Sequence, residues 1–219
     1  MKRRFKFTLF YLFLIYVILV SSFQIVVFNK GFYHKQYAKL NTAKSIGIST
    51  SDLNKATDVL LDYIVDKRQD INVLVEVEGS QTLMFNQREV DHMVDVKNIF
   101  VAVNTIKYIG IIYILIFVFS MFRETKKLNS QYIKFALKIY MIIFGALGFY
   151  ALIDFSGFWT AFHQVLFTND LWLLDPRTDR MILMFPEPFF NALIMRVLGT
   201  FVFVFVVMYV CASKLERSE

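Results

Sequence analysis

Four apolar runs set the limits on what this chain can fold into: Thr8–Phe28, Val101–Phe122, Phe135–Ile153 and Asn191–Ala212. Each approaches or exceeds the roughly 20 residues that a helix rising about 1.5 Å per residue needs to cross a hydrocarbon layer. With 57% hydrophobic residues and 25 phenylalanines, the polar segments are too few to cover these runs in water. Inside lipid the backbone must bond to itself, so the runs are expected to be helices. The fold class expected is a mainly α membrane protein with four transmembrane helices.

The net charge of +6 does not point to nucleic acid, because the basic residues cluster beside apolar runs. Their expected partner is an anionic inner membrane surface. Lys2, Arg3, Arg4 and Lys6 precede the first run in the manner of a signal peptide. That run is too long for a signal's apolar region and no small-residue cleavage site follows, so it reads as an uncleaved anchor. There is no lipobox cysteine. Cys211, the single cysteine, excludes an internal disulfide and reads as a small membrane-facing side chain near the end of the last span.

Orientation follows from the short segments. The amino-terminal tail carries four basic residues and Arg123–Lys138 carries five, whereas Asp154–Phe190 holds Arg177 and Arg180 against five acidic residues. The positive-inside rule places both termini in the cytoplasm. Span counting then puts Asn29–Asn104 and Asp154–Phe190 outside. The expected organisation is an amino-terminal anchor helix (1–28), an extracytoplasmic cap and the start of a long helix (29–98), a transmembrane hairpin with a basic cytoplasmic loop (99–153), an extracytoplasmic aromatic interfacial loop (154–190), and a fourth transmembrane helix with a cytoplasmic tail (191–219).

The cap reads as a small α+β layer. Ser49, with Asp52 three residues on, starts a helix in which Leu53, Ala56, Leu60 and Ile64 recur at helical spacing. Ile71–Val77 alternates like a strand with one apolar face, Gly79-Ser80 is a turn signal, and Gln81–Phe85 is the return strand. Asn86 can cap the next helix, with Glu89 at its third position. Lys107, near the outer end of the second span, is expected to snorkel to the interface. Gly145 and Gly148 permit close helix packing in the third span. Phe158–Phe167 can form a short amphipathic interfacial helix, and Pro176, Pro186 and Pro188 forbid a long helix after it. No role is assigned to His34 or Arg196.

Chemistry concentrates in two stretches, Asn86–Val96 and Phe162–Phe190. His92 has Glu89 and Asp95 three residues away on either side, near one helical face. Carboxylates there can orient an imidazole and stabilise the cation it forms as a base. His163 lies among aromatics, with Asn169, Asp170, Trp172, Asp175, Arg177, Asp179 and Arg180 downstream. The topology brings both histidines to one membrane face. An exposed histidine on a solvated helix and an interfacial histidine in an aromatic belt are the plainer accounts of each. No serine-hydrolase elbow, H-E-x-x-H, CxxC or glycine-rich phosphate loop is present. No histidine pair has metal-ligand spacing, and neither metal nor cofactor is expected. A non-catalytic membrane protein binding lipid or peptide at its outer face, and a metal-dependent membrane hydrolase, remain open alternatives.

The four-span plan, the segment E-x-x-H-M-x-D-V at Glu89–Val96, and FHxxxF…NDxWxLDPxTDxMIxMFPxxFF at Phe162–Phe190 together resemble the Lit family of lipoprotein intramolecular transacylases. The resemblance covers nearly the whole chain and rests chiefly on the second motif. It implies a multi-pass enzyme of the bacterial cell membrane, with its site on the extracytoplasmic face. Such an enzyme moves the sn-2 acyl chain of a diacylglyceryl lipoprotein to the α-amine of the same amino-terminal cysteine, giving a lyso-form lipoprotein. The implied catalytic pair is His92 and His163. Glu89 or Asp95 is expected to hydrogen-bond His92, and the flanking carboxylates suit that ring to be the base. Phe162, Asn169, Trp172, Asp179 and Arg180 are expected to contact substrate. The implied partners are the diacylglyceryl lipoprotein and membrane lipid, and a monomer is expected.

Overall fold

The computed structural model describes residues 2–77, 79–124 and 130–217. In chain order its elements are α1 (Lys2–Val27), α2 (Lys30–Leu40), α3 (Thr42–Ile46), α4 (Thr50–Ile64), β1 (Leu74–Val77), β2 (Ser80–Leu83), α5 (Gln87–Glu124), α6 (Ser130–Ile153), α7 (Phe155–Leu166), α8 (Arg180–Met184) and α9 (Glu187–Arg217). Among the described residues, four helical segments are long and apolar enough to cross a membrane: Arg4–Val27, Gln87–Met121, Gln131–Ile153 and Glu187–Lys214. Residues 125–129 of the basic loop expected between the second and third spans lie outside the described residues.

The chain divides into two compact units. One comprises Met1–Val27, Ala102–Phe158 and Ile194–Glu219; the other comprises Phe28–Val101 and Trp159–Leu193. α5 has 38 residues, about 57 Å at the usual rise and far more than a bilayer core requires. Its residues up to Val101 belong to the second unit and those from Ala102 onward to the first, which holds almost all of the apolar Val101–Phe122 run.

The helical unit wears its apolar side chains outward. Ile112, Leu115, Ile116 and Phe119 on α5, Leu152 and Ile153 on α6, and Val202 and Phe203 on α9 are all exposed. Apolar exposure on this scale marks a lipid-facing surface. Inside the unit, α1 and α5 approach closely at Gly110, where an added Cβ would lie 2.8 Å from the Phe13 ring. Phe10 stacks on Phe117 at 4.5 Å between centroids. Polar groups find partners, as a low-dielectric setting demands. The Tyr16 hydroxyl donates to the Val103 carbonyl at 3.0 Å, and Gln24 Nε2 donates to Asn104 Oδ1 at 2.8 Å. Lys107 does not simply snorkel: its Nζ donates to Gln24 Oε1 at 2.7 Å. A partner on the neighbouring helix is in reach, so the ammonium takes it.

The second unit is the α+β layer anticipated from the pattern, with more helix than expected. Ser49 caps α4, accepting the Asp52 amide at 3.0 Å, and α4 buries Leu53, Ala56 and Leu60. β1 and β2 pair antiparallel, Leu74 opposite Leu83 and Val77 opposite Ser80. Gly79 turns the hairpin at φ +81°, a conformation that favours glycine. Ile71, Val73 and Val75 point into the core, the face the alternation indicates. α2 was not expected. Asn29 caps it by accepting the Phe32 amide at 3.1 Å, and it buries Phe32, Tyr33 and Tyr37. These rings pack with Phe185 and Phe189; Tyr37 stacks on Phe189 at 5.7 Å, and its hydroxyl pairs with that of Thr57 at 2.9 Å.

Candidate active site

Both histidines belong to the second unit. α5 begins with a reciprocal cap: the Glu89 amide donates to Asn86 Oδ1 at 3.0 Å, and the Asn86 amide donates to Glu89 Oε2 at 2.7 Å. This fixes the start of the helix that carries His92. Asp154 begins α7 in the same spirit, accepting the Gly157 amide at 2.9 Å. A side chain at Gly157 would collide with that cap, since its Cβ would fall 2.1 Å from Asp154 Oδ2. Eight residues of helix later comes His163.

His92 and His163 face each other with ring centroids 6.3 Å apart, and they are only 8% and 7% exposed. The two rings are therefore neighbours that can act on one bound group. Phe167 seals one side, 5.2 Å from His92 and 5.6 Å from His163. Trp159 meets His163 edge-on at 4.7 Å, and Trp172 stacks on it at 4.9 Å. His163 Nδ1 lies 2.8 Å from the Trp159 carbonyl. A carbonyl can only accept, so Nδ1 carries the proton and Nε2 presents a bare lone pair. His92 Nδ1 is buried with no hydrogen-bond partner.

Burial disfavours the imidazolium at both rings. It lowers the His92 pKa to about 4, with the neighbouring His163 adding to the effect and Asp95 opposing it. It lowers the His163 pKa too, partly offset by the bond to Trp159. Two neutral imidazoles in a dry, aromatic-walled site are suited to moving protons between reacting groups.

The carboxylates expected to orient His92 do other work. Glu89, 1% exposed, spends its oxygens on the Asn86 amide and on the Met181 amide at the start of α8. Burial raises its pKa against those two bonds. Asp95 accepts Asn169 Nδ2 at 2.8 Å. Neither hydrogen-bonds His92, contrary to the expectation that one would: each is bonded instead to a group from the 159–193 segment.

Two of the expected substrate contacts are also structural. Asp179, 3% exposed, accepts Asn86 Nδ2 at 2.6 Å, the Asp175 amide at 2.7 Å and the Thr178 hydroxyl at 3.0 Å. Burial pushes its pKa up, but these bonds more than offset it and leave the carboxyl below its ordinary value. Arg180 donates to the Leu83 carbonyl at 2.9 Å. Together with Asn86 these residues pin the 175–181 segment to the hairpin and the start of α5. Phe162 does border the pair, 40% exposed, stacked on Trp159 at 5.4 Å and 5.5 Å from His163.

The sequence pattern did not single out Trp159 or Arg88; the i,i+4 spacing of Trp159 to His163 was a usable signal for the first, and no local signal marks the second. His34 lies elsewhere in this unit, on the wall of a cavity of about 680 Å³ between α2, α3 and α4 that shares no residue with the histidine pair.

Helices built for lipid and a buried pair of neutral imidazoles define a membrane protein equipped for proton-transfer chemistry. The model of the family described as lipoprotein intramolecular transacylase Lit matches residues 8–190, and the chain belongs to that family of transacylases. Among solved structures it is similar to the membrane-integral lipoprotein intramolecular transacylase Lit from Bacillus cereus, with 23% identity, 98% of this chain and 96% of that chain covered, and a TM-score of 0.80. Two histidine-substituted variants of the Bacillus cereus protein, also 23% identical, align with TM-scores of 0.75 and 0.76 over 98% of this chain and 92% and 94% of theirs. At this identity the likeness speaks to the fold. No curated protein matches.

Proposed function

We propose that this protein carries out intramolecular acyl transfer on diacylglyceryl lipoproteins at the extracytoplasmic face of the membrane, moving the sn-2 acyl chain to the α-amine of the lipidated amino-terminal cysteine. The observation that carries this is the facing pair of buried imidazoles with one tautomer held by a backbone carbonyl. His163 Nε2 takes a proton from the amine as its nitrogen attacks the ester carbonyl carbon. The tetrahedral oxyanion then collapses, the bond to the glyceryl sn-2 oxygen breaks, and that oxygen receives a proton from an imidazolium. The products are an amide on the cysteine nitrogen and a free glyceryl hydroxyl. His92, with its unpartnered Nδ1, bonds the departing oxygen or the oxyanion. The sequence pattern favoured His92 as the base because of its flanking carboxylates; with those engaged elsewhere, the held tautomer favours His163.

The transfer is direct. An acyl-enzyme would need a hydroxyl or thiol within hydrogen-bond reach of a base, and among the described residues none is bonded to either imidazole. The substrate supplies nucleophile and acyl donor together, which makes holding them in register the main catalytic contribution. Phe162, Val165, Leu166 and Leu173 are exposed apolar residues of this unit and form the surface against which acyl chains lie.

Mass spectrometry of lipoprotein amino-terminal peptides, from cells with and without the protein, tests this. N-acylated lyso-form peptides should appear only with the protein, and His92→Ala or His163→Ala should abolish them while the protein stays in the membrane. In mixtures of two lipoproteins, one with isotope-labelled chains, each label should stay on its own peptide. Label crossing between peptides, or an acylated enzyme, refutes direct transfer.

A further inference from the structure

Resting on that acyl-transfer reading, we infer that Asn169 and Asp95 form a latch that positions the Trp172 ring on His163, making Asn169 and Asp95 positioning residues and the 168–174 segment a closable cover over the site.

The covering segment has no helix or strand, and Thr168, Asn169 and Asp170 are exposed. Its order comes from a few bonds that converge on Asn169. Asn169 Oδ1 accepts the Leu171 amide at 3.0 Å, and the Asn169 carbonyl accepts Trp172 Nε1 at 2.9 Å. These two bonds fold the segment into a unit that presents the indole. Asn169 Nδ2 then donates to Asp95 Oδ2 at 2.8 Å, tying the unit to α5 one turn beyond His92. Arg88, one turn before His92, donates to the Asp170 carbonyl. The two ties straddle His92 along the helix. Asn169 thus links the indole, which its backbone carbonyl holds, to the α5 surface, which its side-chain carboxamide holds.

The indole is placed where it matters to the reaction. Its ring lies 4.9 Å from the His163 ring at 28°, a stacked geometry that favours a cation on the imidazole. It also helps to keep that imidazole buried. Besides the two imidazoles themselves, the charged groups acting on His92 are Asp95 and Arg88 on α5. Asn169 is exposed and Asp95 half-buried, so solvent reaches the tie and it can break and reform. With the tie broken, the indole leaves His163 and the space beside the imidazole opens to a bulky diacylglyceryl group.

The ties differ from a purely electrostatic role for Asp95. A latch needs a hydrogen-bond acceptor at position 95, whereas a charge partner needs an anion. Asp95→Ala and Asn169→Ala should therefore each lower kcat by about tenfold, the order expected from losing one charge-assisted hydrogen bond, and the double variant should be no worse than either. Asp95→Asn, whose carboxamide oxygen still accepts, should recover most of the rate lost in Asp95→Ala. Asp91→Ala, which removes an exposed tie to Gln87 on the same helix, should leave the rate unchanged. A second readout does not depend on turnover. Carbethoxylation of His163 by diethylpyrocarbonate, followed by peptide mass spectrometry on the detergent-purified protein, should be several-fold faster in Asn169→Ala and Asp95→Ala than in the wild type or Asp95→Asn. Equal His163 modification in all four proteins overturns the latch, as does an Asp95→Asn that behaves like Asp95→Ala. Absence of acyl transfer by the wild type, with modification still following the latch, would instead refute the acyl-transfer reading and leave the latch standing.

Discussion

Glu89 provides the sharpest division between a scaffold role and a catalytic one. Its carboxylate is 1% exposed and receives two backbone amides, one from Asn86 at the α5 start and one from Met181 at the α8 start. Glu89→Gln keeps the shape and one acceptor but turns an amide donor toward one of those N–H groups. One buried N–H loses its partner, at a cost of about 1–3 kcal/mol, or a fall of roughly 2–12 °C in Tm for a chain of this size. Replacing the carboxylate also removes a charge whose burial is unfavourable, which places the loss toward the lower end. Glu89→Ala orphans both amides and leaves a hole, costing about 2–6 kcal/mol.

The assay pairs thermal unfolding in detergent with acyl transfer measured well below the melting range. If Glu89 is scaffold, activity per folded molecule in Glu89→Gln should stay within a fewfold of wild type while Tm falls. A Glu89→Gln protein with unchanged Tm and transfer reduced a hundredfold or more would refute this reasoning, because the carboxylate would then be acting on the reaction through His92.

The pH dependence follows from the depressed histidine pKa values. Below the substrate amine's own pKa, log kcat/KM should rise with pH at unit slope, since only the amine titrates there; a slope of two emerging already near the ordinary imidazole pKa of about 6.5 would show that His163 is not depressed. Stability moves in a stated direction as well. The unfolded chain binds protons that folded His92 and His163 refuse, so stability present above about pH 6.5 should be lost as pH falls toward the His92 value of about 4, an effect missing in a His92→Phe, His163→Phe variant. For topology, an impermeant thiol reagent on intact cells, in a Cys211→Ser background, should label Thr168→Cys and spare Asn129→Cys; the reverse pattern would place the site on the cytoplasmic face.

What could be read from the chain was whatever repeats or is local. The four spans follow from hydropathy, the α5 cap from Asn86 and Glu89 at capping spacing, and the hairpin from alternation broken at Gly79. Both histidines stood out because ionisable groups beside apolar runs need an explanation. Side-chain partners across long separations were not legible. Glu89 and Asp95 share a helical stretch with His92, and helical spacing alone points them at it. The structure turns them to Met181 and Asn169, because a backbone amide and a carboxamide from the later segment offer better-aligned donors than a ring three residues away. α2 was missed for a different reason: its buried rings at 32, 33 and 37 fit one helical face, but its lysines and low hydropathy read as loop.

The proposed chemistry puts two demands on one small volume, and they conflict. Acyl chains require an apolar, water-poor surface, and the aromatic wall of Trp159, Phe162, Phe167 and Trp172 meets that requirement. The same dryness weakens each imidazole as a base, because the imidazolium must form without water around it. An amine that must lose a proton therefore faces an acceptor reluctant to hold it. Three features soften the conflict for His163. The Trp159 carbonyl accepts from Nδ1 and bonds more strongly to a cation than to a neutral ring. The Trp172 face is positioned to attract the charge. The second imidazole, 6.3 Å away, is itself held neutral and so does not repel it. A single protonation shared across the pair is affordable where two would not be. This suits a reaction in which one proton leaves the amine and one arrives at the departing oxygen, so that the enzyme carries a single extra charge in the intermediate and none once the products have formed.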